Sequence, residues 1–373
     1  METKPIGIYI HVPFCKRKCN YCDFCSEAAS EEKIGRYVDA LCNEINKFAG
    51  ERRIDADTVF FGGGTPSVVD TAHFERIMNT VRDSFNIVDG AEITVEVNPG
   101  TVTEEKARAY KKCGVNRISI GVQSIHENEL RALGRIHGYG DFLNTVSTFR
   151  AVGIDNLSAD LMYGIPEQTV SSFKETLEAI VQLGLSHVSC YGLIVEEGTP
   201  FYSMRDKLPL PTEDEECEMY LLAHKILTDS GFRHYEISNY ARKENFSRHN
   251  LKYWRTEEYV GFGLSAHSYY EGKRFYNTSD FSEYFTFDSA KYRMEESETR
   301  GIDPFEYVML ALRTDEGFSL SEYEGLFGVD FLSGREDKLR SLSDGGFVSI
   351  LNGRLSLTPS GFYVSNSILA DLL

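Results

Sequence analysis

The chain has no run of apolar residues long enough to cross a bilayer, and its first residues, Met1-Glu2-Thr3-Lys4, start no signal peptide. A cytoplasmic protein is therefore expected. Basic residues are also scarce: 39 Lys and Arg stand against 57 Asp and Glu, a formal charge of −18. That balance argues against nucleic acid or an anionic membrane surface as the main partner. The eight cysteines are then expected to be reduced rather than paired in a disulfide framework. What the chain does have is 373 residues with 42% hydrophobic content, ample for one large domain and a smaller one.

Three of the cysteines stand close together, in Cys15-Lys16-Arg17-Lys18-Cys19-Asn20-Tyr21-Cys22, directly after the apolar run Gly7–Phe14. Thiolates spaced CxxxCxxC can turn toward one small object, and soft ligands select iron–sulfur clusters, zinc or cuprous copper. A four-iron cube on three cysteines leaves one iron open for chemistry. The same spacing also suits a structural zinc site completed by Cys25 or a histidine, a redox dithiol, or three buried thiols. Cys42, Cys113, Cys190 and Cys217 stand singly in apolar surroundings and read as core thiols.

Strand and helix patterns alternate along the first half. Apolar runs at Gly7–Phe14, Ala56–Phe61, Glu92–Asn98, Arg117–Ser124, Asn156–Tyr163 and His187–Val195 predict strands. Helical periodicity falls between them, at Glu31–Phe48, Ala72–Phe85, Glu104–Cys113, Glu127–Leu133, Phe142–Val152 and Ser171–Leu183. Six such units predict an α/β fold, an incomplete (β/α)6 barrel with ligands at the carboxyl ends of its strands. Strand parity places polar or small residues (Tyr9 and His11, Glu92 and Glu96, Ser119 and Gln123, Ser158 and Asp160) opposite Ile8, Ile10, Val95, Val97, Ile118, Ile120 and Leu161. Glu96, Gln123 and Asp160 are thus expected to point inward near strand ends.

Beyond Val195, Leu208–Pro211 and the acidic run Glu213–Glu218 read as a link into a helix at Met219–Asp229. A strand-like His234–Ser238, the segment His249-Asn250-Leu251-Lys252-Tyr253-Trp254 and a Gly-rich Gly261–His267 follow. The polar stretch Asp288–Arg300 reads as a boundary. After it come helical patterns at Pro304–Leu312, Ser321–Phe327 and Arg335–Ser343, a hairpin across Asn352-Gly353, and a last helix from Pro359. That order predicts a smaller C-terminal winged-helix-like α+β domain. The expected domains are 1–205, the barrel with the cluster and cofactor site; 206–298, a barrel extension carrying the HNxxYW segment; and 299–373, the C-terminal unit.

The wording Tyr9–Cys15 followed by Tyr21-Cys22-Asp23-Phe24 resembles the radical S-adenosylmethionine (SAM) superfamily. It is similar in particular to the branch of oxygen-independent coproporphyrinogen oxidases (HemN) and their haem-chaperone relatives (HemW). The resemblance implies that Cys15, Cys19 and Cys22 hold a [4Fe-4S] cluster whose fourth iron is chelated by the amino and carboxylate groups of SAM. An electron from the cluster then splits the sulfonium to a 5′-deoxyadenosyl radical. Gly62-Gly63-Gly64-Thr65-Pro66 resembles the SAM-binding glycine motif, with backbone amides free to meet the methionine ends. By the same resemblance Tyr9 lies beside SAM, Tyr21 contacts adenine, and Gly63, Gly64, Thr65, Glu96, Gln123, Arg135 and Asp160 match SAM-contacting positions. His11 suits either a donor to a cluster sulfide or a satisfied strand histidine.

Two departures from the oxidase pattern point to the chaperone side. The position of a fourth cysteine, two residues after the third, is Phe24, and an N-terminal extension is not seen. The HNxxYW segment resembles a haem-binding motif, which makes His249 the expected axial ligand, with His234 and His267 as alternatives. The implied function is a haem chaperone binding the cluster, SAM and haem. Its implied partners are an acceptor haemoprotein, which could be membrane-associated, and an electron donor to the cluster. The rival is a coproporphyrinogen III oxidase, an activity expected to be absent. A zinc-binding scaffold is the third class. The pattern assigns no role to Cys25.

Overall fold

A computed structural model of the chain describes residues 4–50, 53–288, 292–296 and 301–373. The first half is β1 (Ile6–Val12), α1 (Glu31–Ala49), β2 (Ile54–Gly63), α2 (Thr71–Ser84), β3 (Phe85–Val97), α3 (Glu104–Lys112), β4 (Arg117–Gln123), α4 (Glu127–Ala132), α5 (Tyr139–Ala151), β5 (Leu157–Tyr163), α6 (Val170–Gln182) and β6 (His187–Gly192). β1 to β6 pair in sequence order and all in parallel. This is the α/β incomplete barrel that the alternation predicts.

Local chemistry fixes the helix limits. The hydroxyl of Ser30 accepts from the Lys33 amide, Glu31 and Glu32 face the positive end of α1, and Gly50 closes it at φ +55°. The helix buries Ile34, Tyr37, Val38, Leu41 and Ile45 against Ile8, Ile10, Val59 and Phe61 of the sheet. Full burial of such a side chain stabilises by about 1.5–3 kcal/mol. The apolar core therefore lies between strands and outer helices. The inner face carries Tyr9, His11, Glu96, Ser119 and Asp160, as the parity argument requires.

The second half is α7 (Pro200–Met204), α8 (Glu213–Asp229), β7 (Arg233–Glu236), β8 (Asn239–Ala241), α9 (Arg248–Trp254), β9 (Tyr259–Phe262), β10 (His267–Tyr270), β11 (Lys273–Asn277), α10 (Phe281–Tyr284) and β12 (Arg293–Glu295). Its strands extend the barrel sheet at both edges, giving the order β12-β11-β10-β9-β1-β2-β3-β4-β5-β6-β8-β7. β9 runs parallel to β1; β7, β8, β10, β11 and β12 pair antiparallel.

Several expectations are corrected here. β6 ends at Gly192, not Val195: its last pairing with β5 is Tyr163 with Gly192, closed by the Leu193 amide donating to the Tyr163 carbonyl (2.9 Å). The acidic run Glu213–Glu218 is helix rather than link: Thr212 and Glu215 form a capping box, and the carboxylates sit at the positive end of α8. His234–Ser238 is not one strand but part of a hairpin, and the Gly-rich stretch runs from the end of β9 through the turn at residues 263–266 to the first residue of β10.

The C-terminal unit is α11 (Pro304–Ala311), β13 (Phe318–Ser319), α12 (Leu320–Phe327), α13 (Glu336–Asp344), β14 (Val348–Leu351), β15 (Arg354–Leu357), α14 (Pro359–Tyr363) and α15 (Ser365–Leu372). Asn352 and Gly353 both take positive φ (52° and 72°) between β14 and β15, as a tight hairpin requires. The unit has its own core, including Val308, Leu312, Phe318, Leu355 and Phe362, in the helix and strand order of a winged-helix unit. Of the expected boundary Asp288–Arg300, residues 289–291 and 297–300 lie outside the described residues. Among the described residues, no helix is long and apolar enough to cross a membrane.

Candidate functional site

The cysteine loop leaves β1 at Phe14 and is stitched down at both ends. The Cys15 amide donates to the Glu27 carbonyl and the Glu27 amide to the Pro13 carbonyl, each at 2.9 Å. Further along, the Asn20 amide reaches the Leu133 carbonyl (3.0 Å) and the Phe201 amide the Asn20 carbonyl (3.0 Å). Cys15, Cys19 and Cys22 are partly buried free thiols that line one cavity of about 430 Å³ at the carboxyl ends of the strands.

The same cavity is lined by Tyr21, Gly63, Gly64, Thr65, Glu96, Gln123, Arg135 and Asp160. The structure thus brings together every residue matched to SAM except Tyr9. That side chain is half-buried behind Gly63 and Glu96, which separate the thiol cavity from a neighbouring cleft, and Tyr9 lines the cleft.

The glycine motif is held by two strict constraints. Gly64 and Thr65 donate their amides to the Val12 and Phe14 carbonyls (2.8 Å each). Those two amides therefore bind the cysteine loop rather than standing free for a methionine, which corrects the expectation drawn from the glycine run. A Cβ on Gly64 would lie 2.8 Å from the Phe14 carbonyl oxygen, so only glycine permits this contact.

Donors approach the thiols directly. Thr65 Oγ1 lies 3.4 Å from Cys15 Sγ and Arg135 Nη1 lies 3.6 Å from Cys19 Sγ. Asn98 links the two, donating to Thr65 Oγ1 (2.8 Å) and accepting from Arg135 Nη2 (2.9 Å); Arg135 also donates to the Gly121 carbonyl. Burial pushes the Cys22 thiol above its ordinary value, and the neighbouring Cys19 and Cys15 add to that. A thiolate there calls for a cationic partner such as iron. Among the described residues, no three His, Cys, Asp or Glu side chains converge tightly enough to hold a single ion. Donor set and surroundings fit a thiolate-held cluster.

The far wall is acidic. Ser119 Oγ donates to both oxygens of Asp160 (2.8 and 3.0 Å). Burial, and then the charge of Asp160, push the Glu96 carboxyl up to about 8. Gln123 ends β4 at φ +67° beside a register shift in the β4–β5 pairing. A non-glycine residue held there is backbone strain at a ligand-facing position. Arg117, buried on the same wall with Nε unpartnered, and Asn250 of the HNxxYW segment also line the cavity. Sequence reasoning missed both. Arg117 shares the inward parity of Ser119, which is the signal that could have found it.

His249 is packed into the interior. α9 packs inside the barrel, its first amides capped by Glu92 of β3 (Arg248 and His249 N–H, each 3.1 Å). The imidazole is fully buried, 2.8 Å from Thr58 Oγ1 through Nδ1 and 2.8 Å from the Tyr253 hydroxyl through Nε2. It stacks on Phe60 at 5.2 Å, and burial lowers its pKa to about 3. His234 is also buried, stacked on Tyr240 (4.1 Å) and 3.1 Å from His224. His11, 2.9 Å from the Cys25 carbonyl and 3.1 Å from the Tyr9 hydroxyl, is a satisfied strand histidine.

Comparison with known proteins agrees with this architecture. The family model of the radical SAM superfamily matches residues 9–180, and that of the HemN C-terminal domain matches residues 303–364. The heme chaperone HemW of Lactococcus lactis is 32% identical over 376 residues, covering 100% of this chain and 98% of that protein. HemW of Bacillus subtilis is 33% identical over 372 residues, covering 98% of each. Coproporphyrinogen III oxidase (HemN) of Escherichia coli, described as a radical SAM enzyme, superposes with a TM-score of 0.83 over 99% of this chain and 90% of its own. At 21% identity that likeness is one of fold.

Proposed function

This chain belongs to the radical SAM superfamily, in its HemN/HemW branch, and from that premise we propose that it is a haem chaperone. It holds a [4Fe-4S] cluster and SAM at the strand ends, binds haem beside the α9 segment, and passes haem to an acceptor haemoprotein. End-to-end similarity to proteins named heme chaperone HemW is the observation that carries the reading.

Cys15, Cys19 and Cys22 would ligate the cluster, leaving one iron open. Bound there, the cluster would supply one electron to the SAM sulfonium. The hydroxyl of Thr65 and the guanidinium of Arg135 offset the negative charge of the thiolates through their contacts with Cys15 and Cys19. Glu96 and Asp160 offer carboxylates to ribose hydroxyls and to the positive sulfonium. An electron donor is required, and the exposed Lys16, Arg17 and Lys18 give an acidic one a landing edge. The cytoplasm is the compartment in which such a cluster and free thiols would persist.

The test is haem titration of anaerobically reconstituted protein, followed by transfer to an apo-haemoprotein, with a decarboxylase assay alongside. Haem uptake and release without protoporphyrinogen formation is the expected result. Robust conversion of coproporphyrinogen without haem uptake would replace this reading by the oxidase.

A further inference from the structure

A second cleft, of about 420 Å³, opens beside the thiol cavity and shares Phe24, Gly63 and Glu96 with it. Its own walls are largely aromatic. Tyr9 forms one side, while Tyr253 and Tyr259 meet edge-to-face at 4.5 Å between ring centroids. Flat rings of this kind offer apolar faces to a planar macrocycle. The cleft is open to solvent, so a ligand there keeps an exposed edge. A carrier that must surrender its cargo needs that.

A histidine ligates iron through a free ring-nitrogen lone pair, and the histidines differ sharply in having one to offer. His11, His234 and His249 are buried, and each already has hydrogen-bond partners for its ring. His267, the first residue of β10, lines the cleft with an exposed ring. That ring stacks on Tyr276 (5.2 Å, 20° between planes), and among the described residues neither of its nitrogens has a hydrogen-bond partner. Its backbone is rigidly set: β10 crosses so close to β9 that a Cβ on Gly261 would lie 2.3 Å from the His267 carbonyl oxygen.

We propose that haem seats in this cleft with its iron on the His267 imidazole, and that His249 is a positioning residue that orients Tyr253 as one wall. The assignment rests on the haem-carrying reading above. His249 keeps its part in the site through the bond from Nε2 to the Tyr253 hydroxyl, which turns that ring into the cleft. Cys25 also lines the cleft, and a thiolate can ligate haem iron, so the experiment must separate the two.

Full-length protein, anaerobically reconstituted, is titrated with ferric haem while the Soret band is followed in wild type, His267→Ala, Cys25→Ser and His249→Ala. His267→Ala is expected to weaken binding by about tenfold or more, to shift the Soret band, and to regain the wild-type spectrum when free imidazole is added. Its iron and sulfide content should be unchanged, because the side chain is exposed and lines this cleft rather than the cavity of Cys15, Cys19 and Cys22. His249→Ala should lower thermal stability yet keep the wild-type Soret position for the haem it retains, as should Cys25→Ser. A wild-type spectrum and affinity in His267→Ala would overturn the assignment, as would loss of the wild-type spectrum in either other variant alone. If wild-type protein takes up no haem at all, the carrier reading falls and this assignment with it.

Discussion

Gly63 lies directly over the imidazole of His11. A Cβ at position 63 would approach His11 Cε1 to 2.6 Å, and the residue holds φ at +107°, where side chains are strained. One glycine therefore joins the floor of the thiol cavity to the histidine behind the cysteine loop.

Gly63→Ala should consequently destabilise the protein by about 1–3 kcal/mol, from backbone strain and the clash with a buried ring. It should also reduce cluster iron after reconstitution. Gly35→Ala is the matched control. Gly35 sits within α1, and the nearest atom to a methyl added there is His73 Nε2 at 3.7 Å, so a small gain of about 0.5–1 kcal/mol is expected. Thermal melts of both variants decide the matter; equal melting temperatures would contradict the argument.

Replacing Cys15, Cys19 or Cys22 by Ser should each remove most bound iron, since thiolate ligation holds the cluster. Cys25→Ser should retain it, because Cys25 lines the neighbouring cleft rather than the thiol cavity. Iron and sulfide analysis reads the outcome, and collapse of iron content in Cys25→Ser would make that thiol a ligand.

Glu96→Ala and Asp160→Ala should weaken SAM binding while leaving iron content intact, as both line the cavity without contributing thiolates. Unchanged SAM affinity in both variants would place the cofactor elsewhere.

The Glu96 carboxyl also predicts a pH dependence of stability in protein without cluster or SAM. Its folded pKa, raised to about 8, exceeds the unfolded value of about 4.3. Between those values the folded state binds more protons, so Glu96 contributes a loss of stability as pH rises from about 4.5 to about 8. Glu96→Gln should remove that part of the slope and melt higher than wild type at pH 8.5, by about 1 °C for each kcal/mol recovered in a chain of this length. Parallel stability curves for the two proteins across this range would show that Glu96 is ionised throughout.

Coproporphyrinogen decarboxylation should be absent. Phe24 stands where the oxidase pattern has a further cysteine, and the structure leaves it 60% exposed at the lip shared by both cavities. An assay of reconstituted protein with SAM and reductant should yield no protoporphyrinogen, and steady product formation would refute this.

Local sequence determined much of this protein. The CxxxCxxC spacing lies within one loop, so three thiols on a common wall need only a short turn. Strand parity is equally local: period two put Glu96, Ser119 and Asp160 on the inner face before any partner strand was known. The capped helices and the Asn352-Gly353 hairpin follow from backbone preferences within a few residues. Tertiary structure decided what depends on distant partners. The β9–β12 edge was illegible because β9 joins the barrel sheet by pairing with β1, about 250 positions earlier. The Gly64 and Thr65 amides look free in a glycine run, yet the Val12 and Phe14 carbonyls claim them. His249 and His267 read alike as histidines near aromatic residues. Only the packing of α9 inside the barrel buries the first between Thr58 and Tyr253, while the turn into β10 leaves the second open. A side chain's hydrogen-bond partners belong to the fold, and whether a histidine can meet iron is settled there.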